Sequence, residues 1–399
     1  MRSKRIRVFS IGVLASVAAL LAFGHSETRA WDRRDLSKLL EPIRSGADLP
    51  GLAAVVVRGD EVVAAGATGI RMHGYPEKLT VDDEFHLGSC TKSMTATMIA
   101  MLVQEKKLSW STKVSEVFTD LKKSMHEDWQ SVTLEQLLTN RSGAPGDLTK
   151  DALWGKLWTL TDKPPPAQRR ALVEGVLAKA PEAPPGTKYI YSNAGFSIAG
   201  AMAERVTGEA WEDLMKRRIF EPLGMKSAGF GAPGTKETRD QPRGHKADGS
   251  AVEPGPSADN PAAIGPAGIV HATLLDWAKY VSLHLRLDPD GTGKAPRGSD
   301  KLLALLKPQA FEKLHAPAEG SDPKDPRYAM GWIVCDRDWA GGKTLTHSGS
   351  NTMWYVVAWL APKKDFAVLV GTNQGGDKPA KACDDAAWAV IQDEVKSRK

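Results

Sequence analysis

The chain switches between two patterns of apolar and polar positions. Residues 36–43 place apolar side chains at helical spacing. Two short runs rich in Val and Ala follow, 52–57 and 61–67, on either side of Arg58-Gly59-Asp60, which predicts a hairpin. Residues 89–104 carry the strongest helical pattern, with Met94, Met98, Ile99, Met101 and Leu102 on one apolar stripe. From about 108 to 265 the pattern is of short helices interrupted by Pro and Gly, as at Lys163-Pro164-Pro165-Pro166 and 181–186. Trp154, Trp158 and Trp211 are expected to supply large core side chains there, and 232–266 reads as loop. Strand patterns return at 328–335, 343–347, 353–360 and 366–372, before a closing helix over 380–397. Strands near both ends with helices between them predict one sheet built from the two ends of the chain, an α+β fold. The expected division is an α/β domain from 31–107 with 265–399, and a helical region with long loops over 108–264.

Composition narrows the class. At 42% hydrophobic and 25% charged residues, the chain is an ordinary globular protein and not a disordered one. The formal charge of +5 is concentrated at the start, in Arg2, Lys4, Arg5, Arg7 and Arg29 against Glu27. The remainder is near neutral and gives no reason to expect nucleic acid or an anionic membrane as partner. The basic start, the apolar run 8–23 and a small-residue exit after Gly24 or at Thr28-Arg29-Ala30 read as a signal peptide over 1–30. The run is short of the roughly 20 residues of a membrane span, so export to the periplasm or outside the cell is expected, without a stable membrane anchor. Three cysteines, Cys90, Cys335 and Cys383, make no disulfide framework, and whether Cys335 and Cys383 pair depends on a distance the sequence does not give. The histidines are scattered and lack metal-site spacing, so no metal or organic cofactor is expected.

Three segments carry candidate chemistry. Ser89-Cys90-Thr91-Lys92 opens the strong helix, and a spacing of three puts Lys92 on the Ser89 face. A serine hydroxyl needs a neighbouring base, and a desolvated lysine can lose its proton near neutral pH. The helix start favours a developing oxyanion. A second Ser-x-x-Lys, at Ser321-Asp322-Pro323-Lys324, is set aside because Pro323 breaks the helix that would align it. In Tyr191-Ser192-Asn193, two residues apart in an extended stretch, both side chains point to one side. A tyrosine beside an ammonium can ionise below its usual value, and Asn193 can bond both Lys92 and a substrate carbonyl. In Thr346-His347-Ser348-Gly349-Ser350, Gly349 permits close backbone approach and a strand edge there can bind extended substrate, while His347 can position substrate or bond the Tyr191 oxygen. Taken singly, these are also what a helix cap, a core tyrosine and a strand-end histidine look like. Cys90 reads as a small buried residue.

Together, and in this order, the three segments resemble the class C β-lactamase and penicillin-binding-protein-like serine hydrolases, in a variant with His-x-Gly near the end. The stretches Leu137-Leu138-Thr139-Asn140-Arg141-Ser142-Gly143, Ile219-Phe220-Glu221-Pro222-Leu223-Gly224-Met225 and Pro266-Ala267-Gly268 are similar to that family as well. The resemblance implies a β-lactamase/transpeptidase-like fold, an antiparallel sheet flanked by helices beside an all-helical region. It implies Ser89 as acylated nucleophile, Lys92 as its activator and Tyr191 as general base and acid. Asn193, His347, Gly349 and Ser350 would be substrate-binding, with the backbone N–H groups of Ser89 and Ser350 as oxyanion hole. Histidine at 347 stands where many β-lactamases of the family carry lysine, and being mostly neutral at pH 7 it resembles the esterase and D-amino-acid peptidase branches.

The expected function is therefore a secreted serine hydrolase cleaving an amide or ester in a peptide, a small ester or a β-lactam, with a small-molecule or peptide as its partner. The alternative is a cell-wall peptide-binding protein that keeps the fold without turnover. A Ser-His-Asp α/β-hydrolase ranks last, because no Gly-x-Ser-x-Gly is present.

Overall fold

Val, Ala and Leu in the two end segments are buried on both faces, so they can only sit in the middle of a covered sheet. The computed structural model describes residues 33–286, 305–318, 322 and 324–398. The predicted signal peptide lies outside them, as do Ser321 and Pro323 of the second Ser-x-x-Lys. Among the described residues the strands are β1 (Arg34–Asp35), β2 (Gly51–Arg58), β3 (Glu61–Gly69), β4 (Glu84–His86), β5 (Gly229–Phe230), β6 (Gly244–His245) and β7 (Ala251–Val252). They continue with β8 (Val270–Thr273), β9 (Tyr328–Ala329), β10 (Trp332–Arg337), β11 (Gly342–Ser350), β12 (Tyr355–Ala361) and β13 (Phe366–Thr372). The main sheet runs β1-β3-β2-β13-β12-β11-β10-β9, antiparallel except for β1 beside β3. The two ends of the chain meet at β2 and β13, where Leu52 faces Thr372 and Arg58 faces Phe366.

Side chains alternate across this sheet as the strand period requires. Ala53, Val55 and Val57, with Ala367, Leu369, Val356 and Ala358, face the larger core, which contains Met94, Met98 and Trp277. Leu52, Ala54 and Val56, with Val368 and Val370, face a second core under the helices Ser37–Gly46 and Asp377–Lys396. Each fully buried Val or Leu contributes roughly 1.5–3 kcal/mol, and both faces of β2 and β13 draw on it. The fold is α+β, an antiparallel sheet flanked by helices, as expected. The segment expected to form one strand from 328 to 335 is broken at Met330 and Gly331, which both take positive φ.

The strong helix differs from its sequence pattern in two ways. Its α-helical part is Thr91–Gln104, and Ser89 lies in a preceding 3₁₀ turn, Gly88–Cys90. It has no single apolar stripe, because every residue from Thr91 to Leu102 is buried with neighbours all round. Its polar side chains are satisfied by backbone carbonyls: Ser93 Oγ donates to Cys90 O (3.0 Å), Thr97 Oγ1 to Ser93 O (2.9 Å) and Thr95 Oγ1 to Pro266 O (2.7 Å). In the middle region Trp211 is fully buried, but Trp154 and Trp158 are half-buried. Their helix, Ala152–Trp158, buries Leu153 and Leu157 instead, and the two indoles meet edge to face at 6.0 Å. That region also carries the short strands β5, β6 and β7, so it is not all-helical.

Candidate active site

The 3₁₀ turn projects Ser89 from the end of β4, and two glycines fix its surroundings. Gly88 has φ +48°, and a Cβ there would lie 2.4 Å from Ser350 N. A Cβ on Gly349 would lie 2.0 Å from Leu87 O and 2.8 Å from Ser89 N. Only glycine at both places lets the backbone of β11 touch the turn that carries the serine. Ser89 and Ser350 are thereby brought together from opposite ends of the sequence.

Lys92 is fully buried behind Ser89. Its Nζ lies 3.1 Å from Ser89 Oγ, 2.7 Å from Asn193 Oδ1 and 2.8 Å from Ala267 O. Burial pulls its pKa down to about 7. In the neutral form its two N–H bonds suit the Asn193 and Ala267 carbonyls, leaving the lone pair for the serine hydroxyl. The Tyr191 ring lies 4.8 Å from the amine, with its phenol toward the Ser89 side chain. Burial raises the Tyr191 pKa, with the Ser89 hydrogen bond opposing, so the acidified tyrosine expected from the sequence is not what this environment gives. The Cys90 thiol is also pushed up by burial and stays protonated, as suits a buried structural residue.

Tyr191 and Asn193 reach the site by a different backbone from the extended stretch expected. Ser192 caps a helix, Asn193–Thr207, its Oγ accepting from Gly195 N at 3.1 Å, so Asn193 is the first helical residue. Asn140, held at φ +58°, brackets Tyr191. Its carbonyl accepts Ile190 N–H (2.8 Å) and its Oδ1 accepts Ser192 N–H (3.1 Å).

His347 is buried, and the bond to Tyr191 that was one of its two expected roles is not made. Its Nδ1 lies 2.6 Å from Ser348 O, and a carbonyl can only accept, so Nδ1 carries the hydrogen. Nε2 then accepts from Tyr328 Oη at 3.3 Å, not from Tyr191, whose ring stands 6.3 Å away centroid to centroid. Both ring nitrogens are thus engaged within the protein. Burial, with Lys92 nearby, lowers the imidazole to about 4, so it is neutral at pH 7. The three cysteines are free thiols: Cys335 bonds Thr344 and Cys383 sits on the closing helix.

A family model described as Beta-lactamase matches residues 36–392. The chain belongs to the Beta-lactamase family. "Penicillin-binding protein 4" of Amycolatopsis lactamdurans is 27% identical to it over 350 residues, covering 86% of each chain. An unguisins hydrolase of Aspergillus campestris is 26% identical over 353 residues, covering 85% of this chain and 61% of its own. Among solved structures, the octameric penicillin-binding protein homologue from Pyrococcus abyssi superposes with a TM-score of 0.69 at 24% identity, over 89% of this chain and 76% of that one. The D-alanine carboxypeptidase AmpC from Burkholderia cenocepacia gives 0.68 at 18%, over 89% and 97%. These two likenesses show the fold.

Within this Beta-lactamase-family site, two participants are absent from the sequence-based set. Ala267 acts through its carbonyl, and a backbone atom leaves no side-chain signature. Asn140 and Ala267 both fall in stretches that resemble the family, which was the available signal.

Proposed function

We propose that the chain is an exported serine hydrolase that cleaves an amide or ester through an acyl-enzyme on Ser89, with Lys92 as base and Tyr191 as proton relay. Membership of the Beta-lactamase family, with a penicillin-binding protein and a hydrolase among its relatives, supports the serine hydrolase. The observation that carries the mechanism is the buried Lys92 amine 3.1 Å from Ser89 Oγ with its pKa drawn to about 7. The neutral amine takes the hydroxyl proton as Oγ attacks the carbonyl carbon. The backbone N–H groups of Ser89 and Ser350 receive the oxyanion. The tetrahedral species then expels the amine or alcohol, which takes a proton from the Tyr191 hydroxyl while Lys92 returns one to Tyr191. Water attacks the acyl-enzyme, its proton leaving by the same groups, and the acid departs with Ser89 restored. The leader-like residues 1–30 support export.

The neutral, buried His347 bears on the substrate. Position 347 offers no fixed cation for the carboxylate of a β-lactam, which favours an ester or D-amino-acid peptide over efficient β-lactam hydrolysis. The test is labelling with a fluorescent phosphonate and a fluorescent penicillin, with Ser89→Ala as control. Loss of label in the variant is expected, and undiminished label overturns the nucleophile. Turnover of p-nitrophenyl esters and D-alanyl peptides in preference to nitrocefin is expected; rapid nitrocefin hydrolysis overturns the substrate reading.

A further inference from the structure

A cavity of about 620 Å³ lies on the opposite face of the main sheet from the Ser89 turn. This size is within the roughly 300–1,000 Å³ of small-ligand sites. Its lining includes Arg337, Asp338, Trp339, Trp359, Asp384 and Trp388. Trp359 points from β12 toward the second core, and Trp339 meets it edge to face at 6.1 Å. The Arg337 guanidinium lies 5.4 Å from the Trp359 ring centre. Trp388 stands one helical turn after Asp384 on the closing helix and is 53% exposed. Nothing in the acylation chemistry uses these groups.

Three indoles, Trp339, Trp359 and Trp388, line this one cavity, and together they offer an occupant a flat apolar face. The rim adds a planar guanidinium and two carboxylates, which offer donors and acceptors in pairs. A pyranose ring meets both demands, with C–H faces to lie on indole and neighbouring hydroxyls to bridge carboxylate or guanidinium. Other occupants fit less well. Among the described residues Trp388 is the one large hydrophobic side chain that is exposed, too little for the roughly 800 Å² per partner of a stable dimer. A lipid surface calls for clustered Lys and Arg, whereas here two aspartates accompany one arginine.

We propose that this groove, built from Trp339, Trp359 and Trp388 with Arg337 and Asp384 at its rim, binds an oligosaccharide. It is separate from the acyl-enzyme site and needs no turnover there. A glycan held on one face would keep the enzyme at a polysaccharide surface while Ser89 works on the other.

The test titrates the full chain with chitotetraose, cellotetraose and maltotetraose, following tryptophan fluorescence and calorimetry. Saturable binding of at least one is expected. Trp388→Ala should weaken it about tenfold or more, and Asp384→Asn should weaken it with the indoles intact. Unchanged phosphonate labelling of Ser89 in both variants checks that they are folded. Absence of saturable binding up to about 10 mM of all three sugars overturns the proposal. So does equal affinity in Trp388→Ala, or a wild-type dimer that this substitution turns into a monomer.

Discussion

The amine of Lys92 lies 3.1 Å from the hydroxyl of Ser89, inside a site that disfavours an ammonium. Since burial brings Lys92 to about 7, acylation should rise about tenfold per pH unit below that value and level off above it. Stopped-flow acylation by a p-nitrophenyl ester from pH 5 to 9 reads this directly. Tyr191→Phe should slow the reaction and leave the midpoint in place, because the phenol does not titrate in this range. Lys92→Arg should be as inactive as Lys92→Ala, since a guanidinium keeps its proton. A flat profile, or a midpoint that moves with Tyr191, would assign the base elsewhere.

The same lysine should shape stability. In the unfolded chain it holds its proton up to roughly pH 10.4, whereas folded it releases it near 7. Between those values the unfolded state binds more protons, so Lys92 makes the unfolding free energy increase with pH, by up to about 1.4 kcal/mol per unit. Below 7 both states are protonated and this slope disappears. Urea denaturation of wild type and Lys92→Met at several pH values should show the wild type gaining on the variant from 7 to about 10. Parallel pH dependences would mean that Lys92 stays charged in the fold.

Gly349→Ala should separate the strand from the nucleophile. The added methyl would sit 2.0 Å from Leu87 O and 2.8 Å from Ser89 N, both backbone atoms that cannot swing aside. The expected result is a loss of about 10²–10³ in kcat through the displaced oxyanion donors, with about 1–3 kcal/mol of destabilisation. Circular dichroism should still report a folded protein. An unchanged acylation rate would show that β11 contributes nothing to the transition state.

The architecture and the pair Ser89–Lys92 were legible in the sequence because both rest on local pattern: short continuous apolar runs at 52–57 and 366–372, and a serine three positions before a lysine at the start of a helical stretch. What escaped depends on distant neighbours. The apolar stripe expected on the Thr91–Gln104 helix is instead burial on every side, imposed by helices and a turn remote in sequence. Of the two roles expected of His347, positioning substrate or bonding Tyr191, the second is not made: it bonds Tyr328, which reaches it from a separate strand. Tyr191 was expected to be acidified by a charged lysine, yet burial raises the phenol and lowers the amine to about 7. Trp158 looked like core because it is large, but two leucines of its own helix face inward instead.

The pairing of β2 with β13 ties Gly51 to Thr372, whose hydroxyl donates to the Gly51 carbonyl at 2.7 Å across 321 positions of sequence. The turn that carries Ser89 is made early, but the strand it leans on is made almost last. A nascent or truncated chain lacking β11 to β13 has the serine and the lysine and no wall to hold them. The surroundings of Ser89 are thus complete only once the late strands have paired with the early ones.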